Sequence, residues 1–271
     1  MRMRQQYRGL LIALGLVLAP LLTARAADRL QELSPELLEK FVTDPESWNA
    51  YWEQFAQQRG FPATYSAEAI EAWVVDEETG QPLEGVTVVA NWKLWGGLHP
   101  DVIGSLVVLE TVTDTKGRFS FPAWGPKPRP PGSYLHTDDP LLLLFKRDYE
   151  YLAVGNSPTE GVNKSAVRRF EENGKTLKMK KFAGSLEKYA WHLRILDDDL
   201  DFMLRHGEGE CLWKQFPRML VALHLEKLHL KEKGTSPYFL HSSLEETDYR
   251  QTEAARAKCG SIQENLRSYL P

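Results

Sequence analysis

The residues that most invite a chemical reading lie in the last third of the chain. His224-Leu225-Glu226-Lys227-Leu228-His229 puts two imidazoles around a glutamate, the raw material of a zinc helix. A zinc-peptidase helix spaces its histidines so that both fall on one face. Here they are five residues apart, and five residues of helix carry the second ring about 140° away from the first. Surface or hydrogen-bonded histidines are therefore expected, not metal ligands. Asp197-Asp198-Asp199 with Asp201 suggests calcium by composition, but the glycine that turns a calcium loop sharply and its distal glutamate are missing. Within a helical stripe these aspartates read as a solvated acidic face. Gly207-Glu208-Gly209-Glu210 reads as a turn between helices, with no strand–loop–helix context to cradle a phosphate. No Gly-x-Ser-x-Gly elbow occurs. No catalytic residue and no metal ligand is assigned, and no cofactor is expected.

Two further sets of residues carry expectations. Cys211 and Cys259 make an even, low cysteine count. In an oxidising compartment this favours one disulfide over two separately buried thiols. The bond would close a loop of roughly 50 residues, for about 4 kcal/mol in the chain-entropy description. Trp92, Trp95 and Trp124 fall in or beside connections. Trp124 belongs to Phe121-Pro122-Ala123-Trp124-Gly125-Pro126-Lys127-Pro128-Arg129-Pro130-Pro131-Gly132, a stiff stretch that leans to polyproline II. Trp92 and Trp95 precede Gly96-Gly97. Loops on a rigid scaffold carry binding, and aromatic rings stack on sugars or proline-rich peptides at little rotamer cost. The three tryptophans are thus the candidate binding surface; the alternative is that Trp124 caps a core and the prolines only stiffen a crossover.

The elements that must position these residues follow from the pattern of the chain. Arg2, Arg4 and Arg8, the apolar run Gly9–Leu22 and Ala24-Arg25-Ala26 form a secretory signal cleaved before Ala27. The run is too short for a bilayer core, which needs roughly 20 residues. Its removal takes away four arginines and no acid, so the formal charge moves from −4 to −8. An acidic mature chain lacks the concentrated Lys and Arg that nucleic acid or anionic lipid requires. Ser34-Pro35-Glu36 and Asp44-Pro45-Glu46 open two short helices, the second carrying Trp48, Tyr51, Trp52 and Phe55 at helical spacing. That aromatic stripe is expected to dock on the protein's own sheets.

Period-two alternation then takes over. Strands are predicted at Ile70–Val75, Val86–Trp92, Leu106–Thr113, Arg118–Phe121, Leu141–Phe145, Tyr151–Val154 and Lys175–Phe182, with a hairpin turn at Asp114-Thr115-Lys116-Gly117. Val86, Val88, Ala90 and Trp92 share one face, and Phe119 and Phe121 point inward. Beyond residue 185 the period becomes helical. Leu186, Tyr189, Leu193, Leu196, Leu200 and Met203 form one stripe; Leu212, Phe216, Met219, Leu220, Leu223 and Leu228 form another, with a kink or break at Pro217. Ser242-Ser243-Leu244-Glu245 is a capping box before a last helix that bears Cys259.

Val75-Asp76 with Thr79-Gly80-Gln81-Pro82-Leu83-Glu84-Gly85-Val86-Thr87-Val88 resembles the first hairpin of carboxypeptidase regulatory-like domains. Thr113-Asp114-Thr115-Lys116-Gly117-Arg118-Phe119 is similar to their second signature, and Leu143–Glu150 to their next strand and turn, with Asp148 where glycine is usual. The resemblance implies a transthyretin-like, immunoglobulin-like β-sandwich, a module that is usually non-catalytic and accompanies enzymes, receptors and surface proteins. A metallocarboxypeptidase would need a catalytic zinc domain of its own, so peptidase activity does not follow.

The expected fold is α+β: a signal peptide over 1–26, N-terminal helices over 27–65, an antiparallel sandwich over 66–182 and a helical region over 183–271. The expected function is that of a non-catalytic accessory protein, periplasmic or secreted, which serves as a binding or scaffold module of the bacterial envelope. Its partner would be an envelope protein or a glycan, with no nucleic acid and no stable membrane insertion after cleavage. The alternatives are a hydrolase of envelope polymers with its site between sandwich and helices, and a subunit of an envelope complex.

Overall fold

The computed structural model describes residues 44–96, 101–157, 165–206, 211–235, 244, 248 and 251–270. The signal segment, the helix expected from Ser34, Gly97, the turn at 207–210 and the capping box apart from Leu244 lie outside the described residues.

Helix α1 (Pro45–Gln58) starts where the sequence places it. Asp44 Oδ1 accepts from the N–H groups of Glu46 and Ser47, and proline at the first helical position has no N–H to satisfy. Trp52 and Ala56 are buried. Glu53 reaches the Pro/Gly stretch, where the Arg129 guanidinium donates to both its oxygens at 2.6 and 3.1 Å. The aromatic stripe thus packs inward at Trp52.

Among the described residues eleven strands follow in chain order: β1 (Thr64–Ala67), β2 (Ile70–Asp76), β3 (Thr87–Gly96), β4 (Asp101–Val112), β5 (Arg118–Phe121), β6 (Trp124–Pro128), β7 (Tyr134–Leu135), β8 (Leu141–Phe145), β9 (Leu152–Val154), β10 (Val167–Arg168) and β11 (Thr176–Met179). They form three sheets, in the orders β10-β1-β6, β11-β2-β5 and β4-β3-β8-β9, with β7 added to the far end of β3. Most ladders are antiparallel; β1–β10 and β2–β11 are parallel, so the expected antiparallel set is in fact mixed.

The turns expected as hairpins are crossovers. β2 pairs with β5 and β11, whereas β3 pairs with β4 and β8, so both the 76–80 turn and the 114–117 turn carry the chain from one sheet to another. Their chemistry is as expected. Asp76 and Asp114 each accept backbone N–H groups within the turn, and Gly117 sits at φ 70° where a Cβ would lie 2.3 Å from the Val74 carbonyl. Asp148 adopts the left-handed conformation at φ 68°.

The Pro/Gly stretch is also corrected. Residues 124–128 are an edge strand, β6, paired antiparallel with β1. Proline removes ladder donors and is tolerated on an edge.

Alternation along β3 divides the interior in two. Val86, Val88, Ala90, Trp92 and Leu94 join Ala72, Val74, Phe119, Phe121 and Met179 in one apolar cluster. Val89, with Val108, Leu143 and Phe145, faces a second cluster made with the helices. Thr87 and Asn91 are buried on that same face. β3 is therefore covered on both sides.

The helical part comprises α2 (Leu186–His206), a 3₁₀ turn (Leu212–Gln215), α3 (Pro217–Glu232), α4 (Glu253–Cys259), α5 (Ile262–Leu266) and a 3₁₀ turn (Arg267–Tyr269). Pro217 opens α3 at its first position, so the chain breaks there, as one of the two expectations had it, and no helix is kinked. α3 is buried nearly all round, with Met219, Leu220, Leu223, His224, Glu226 and Leu230 inside. Leu186 and Leu228, expected within the apolar stripes, are instead exposed. The acidic face is also only partly solvated: Asp197 is 1% exposed, Asp199 is half-buried and Asp198 is exposed. Cys211 and Cys259 form the expected disulfide, their Cα atoms 5.5 Å apart. The whole is an α+β chain. Among the described residues no helix is long and apolar enough to cross a membrane.

Candidate functional site

Trp92, Trp95 and Trp124 do not form one surface. Side chains of a strand alternate between faces, and Trp92 and Trp95 differ by an odd number of residues. Trp92 points into the inter-sheet core and is 1% exposed, which corrects the expectation that it lies beside a connection and faces solvent. Trp124, half-buried on β6, packs its ring against Trp92 at 5.3 Å in an edge-on contact. Trp95 lies on the opposite face of β3 and, like Trp124, is only partly exposed.

Around Trp95 the chain assembles polar groups that periodicity did not single out. His136 lies beside the indole, ring centroids 5.1 Å apart. Its Nδ1 is 2.7 Å from Asp138 Oδ1. Lys93, on the same face of β3 as Trp95, brings its ammonium to 4.0 Å from Asp138 and 5.9 Å from the indole centroid. Lys93, Trp95, His136 and Asp138 are all partly exposed. Together they make a flat aromatic ring with a rim of donors and acceptors.

Asp139 holds this rim in place. Its side chain is fully buried and accepts from the backbone N–H groups of Lys93 and His136, both at 3.0 Å. One carboxylate thus ties the loop after β7 to strand β3. Asn156 donates to the Asp139 carbonyl at 2.8 Å from the other side. Burial pushes the Asp139 carboxyl up to about 7, against the pull of its N–H donors. The hydrogen bond to Asp138 raises the His136 pKa and lowers that of Asp138, so the pair favours imidazolium and carboxylate. Burial also raises the Asp199 pKa on α2, and Lys93 opposes that shift.

This arrangement can bind polar, ring-bearing ligands: a hydrophobic plate for a ring face, imidazole and ammonium as donors, a carboxylate as acceptor. No serine or cysteine is hydrogen-bonded to His136 among the described residues. No group of three or more His, Cys, Asp and Glu residues there is placed to hold a metal ion. His224 is buried in α3 and His229 is half-buried. The sequence carried one usable signal for the rim: the run His136-Thr137-Asp138-Asp139, four polar residues between a tyrosine–leucine pair and an apolar strand.

No family model matches the chain, and no curated protein matches it. Solved structures with some likeness include the Bacillus anthracis TIE protein (12% identity, 43% of this chain and 18% of that one, TM-score 0.22). Two others are 3-chlorocatechol 1,2-dioxygenase from Rhodococcus opacus (13%, 67% and 99%, 0.25) and a mutant catechol 1,2-dioxygenase of Acinetobacter radioresistens (12%, 67% and 86%, 0.27). The chain spans under a fifth of the TIE protein's length. Likenesses at these TM-scores define neither a family nor an activity for this chain.

Proposed function

We propose that the protein is an exported, non-catalytic binding module of the bacterial envelope that holds a glycan on Trp95. The observation that carries this reading is the partly exposed Trp95 ring bordered by His136, Asp138 and Lys93. Sugars present an apolar ring face and a periphery of hydroxyls, which suits a plate with a mixed rim. The shared core of the β11-β2-β5 and β4-β3-β8-β9 sheets supports a sandwich of the carboxypeptidase regulatory-like kind. The charged n-region, the apolar run and Ala24-Arg25-Ala26, with the Cys211–Cys259 bond, support a periplasmic or secreted setting. The hydrolase alternative calls for paired carboxylates or a His-Asp-Ser set at the junction of sheets and helices. Among the described residues, the cleft at that junction has Glu226 as its carboxylate.

The test is sedimentation of the purified protein with insoluble peptidoglycan, and calorimetry with its soluble oligosaccharide fragments. Binding by the native protein that a folded Trp95→Ala variant loses supports the reading. Retention of binding by a folded Trp95→Ala variant rejects it.

A second reading, a subunit of an envelope complex, is favoured by Trp191 and Ile195, four residues apart on α2 and 57% and 51% exposed. Chemical cross-linking in intact cells should then yield an adduct that Ile195→Asp removes.

A further inference from the structure

A cleft lies between the end of β8 and helix α3. Thr87, Phe145, Lys146, Arg147, Leu225 and Glu226 line it, and its volume is about 260 Å³. Thr87 and Trp95 stand at opposite ends of β3, about 26 Å apart at ~3.3 Å per residue. The cleft is thus separate from the Trp95 patch.

Its walls hold three things a ligand would use. The first is Glu226, whose side chain is 1% exposed. Oε2 accepts from Arg147 Nε at 2.5 Å, while Oε1 has no hydrogen-bond partner among the described residues. A buried acceptor left unmet in a cleft wall is uncommon, and it marks a place that another group completes. The second is a pair of cations. Arg147 is about half-exposed and engages Glu226 through Nε; among the described residues its two terminal nitrogens have no hydrogen-bond partner, which leaves them for an anion. Lys146 donates one hydrogen to the Glu84 carbonyl at 2.7 Å and keeps two more. The two cations face one carboxylate in the lining of the cleft. The third is an apolar floor of Phe145, Ala222 and Leu225.

We propose that this cleft binds a small amphiphilic carboxylate that carries a hydroxyl next to its acid group. The acid sits on Arg147 and Lys146, the apolar body lies on Phe145 and Leu225, and the hydroxyl donates toward Glu226 Oε1. An inorganic anion fits less well, because it offers no donor to that oxygen and no body to the floor.

The probe is mandelate, an aryl hydroxy acid, titrated into the purified full-length protein and followed by amide chemical shifts. Phenylacetate lacks the hydroxyl, and benzyl alcohol lacks the acid. Saturable shifts at Phe145, Ala222 and Leu225 are expected with mandelate, with phenylacetate weaker by roughly tenfold, the worth of one hydrogen bond. Benzyl alcohol should not saturate. Leu225→Trp fills the cleft while keeping Lys146, Arg147 and Glu226 in the sequence; it should abolish the shifts in a protein that stays folded by circular dichroism. Trp95→Ala should leave the titration unchanged. Absence of saturation by mandelate overturns the proposal, and so do shifts that persist in Leu225→Trp. Equal binding of phenylacetate overturns the role given to Glu226.

Discussion

Glu110, on strand β4, caps Met219, at the start of helix α3: its Oε1 accepts the Met219 N–H at 2.7 Å, and its Oε2 accepts the Arg218 N–H at 3.0 Å. A helix leaves its first N–H groups without intrahelical acceptors, and Pro217 ahead of them has none to offer. The cap comes from another element, more than a hundred residues earlier in the chain, so it also fixes where α3 sits on the sheet. Glu110→Ala should cost about 1–2 kcal/mol, measured by urea unfolding.

The same carboxyl sets a pH dependence. Burial, opposed by its two N–H donors, pushes Glu110 up to about 7 from the ordinary 4.5. The folded state then holds this proton more tightly than the unfolded state does. The contribution to stability is present below pH 4.5 and is lost as pH rises through about 7. Asp139, also near 7, acts in the same direction. The stability of the native protein relative to Glu110→Gln should therefore fall between pH 5 and pH 8. A constant difference across that range would contradict the assignment.

The tryptophans give a graded series. Trp92→Ala opens the inter-sheet core and should cost about 3–5 kcal/mol. Trp124→Ala removes a half-buried ring that rests on Trp92 and should cost less. Trp95→Ala removes a ring of similar burial that packs beside His136 and should also cost less than Trp92→Ala. Thermal unfolding of the three variants checks the order, and an equal loss at Trp95 would place that ring in a core.

Arg129 predicts a local defect. Its side chain is 1% exposed, and Glu53 is its ionic partner. Glu53→Ala should cost about 3 kcal/mol by leaving a buried guanidinium without its carboxylate. Proteolysis should then cut α1 faster while the sheets stay protected, and an unchanged cleavage rate would show that α1 is held by its apolar face alone.

The disulfide predicts its own loss. The native protein should show no free thiol after denaturation without reductant. Cys259→Ser should cost about 4 kcal/mol, the chain-entropy value for a 48-residue separation.

What the sequence made legible follows from where its signals are local. Asp44-Pro45-Glu46, the alternation at Val86–Trp92 and the aspartate-glycine turns each act within a few residues, and each lies where the pattern puts it. Pairing partners are not local: β11 runs parallel to β2 about a hundred residues away, and no short-range pattern encodes that. β6 was hidden because prolines 126 and 128 lower strand propensity, a penalty an edge strand escapes. The tryptophan trio was only partly legible, since the parity separating Trp92 from Trp95 was available while their distance from any loop was not. His136, Asp138 and Asp139 lie in a non-repeating linker. Only the closing of β7 and β8 against β3 brings them to Trp95.

Strand β3 has one last consequence, for anyone who would cut the protein apart. Residues 66–182 look like a portable module, yet excising them would strip the helices from Val89, Val108, Leu143 and Phe145 and leave a greasy outer wall in water. Such a fragment should precipitate or pair with itself. The helical region is not cargo hung on a finished sheet but the second half of its insulation.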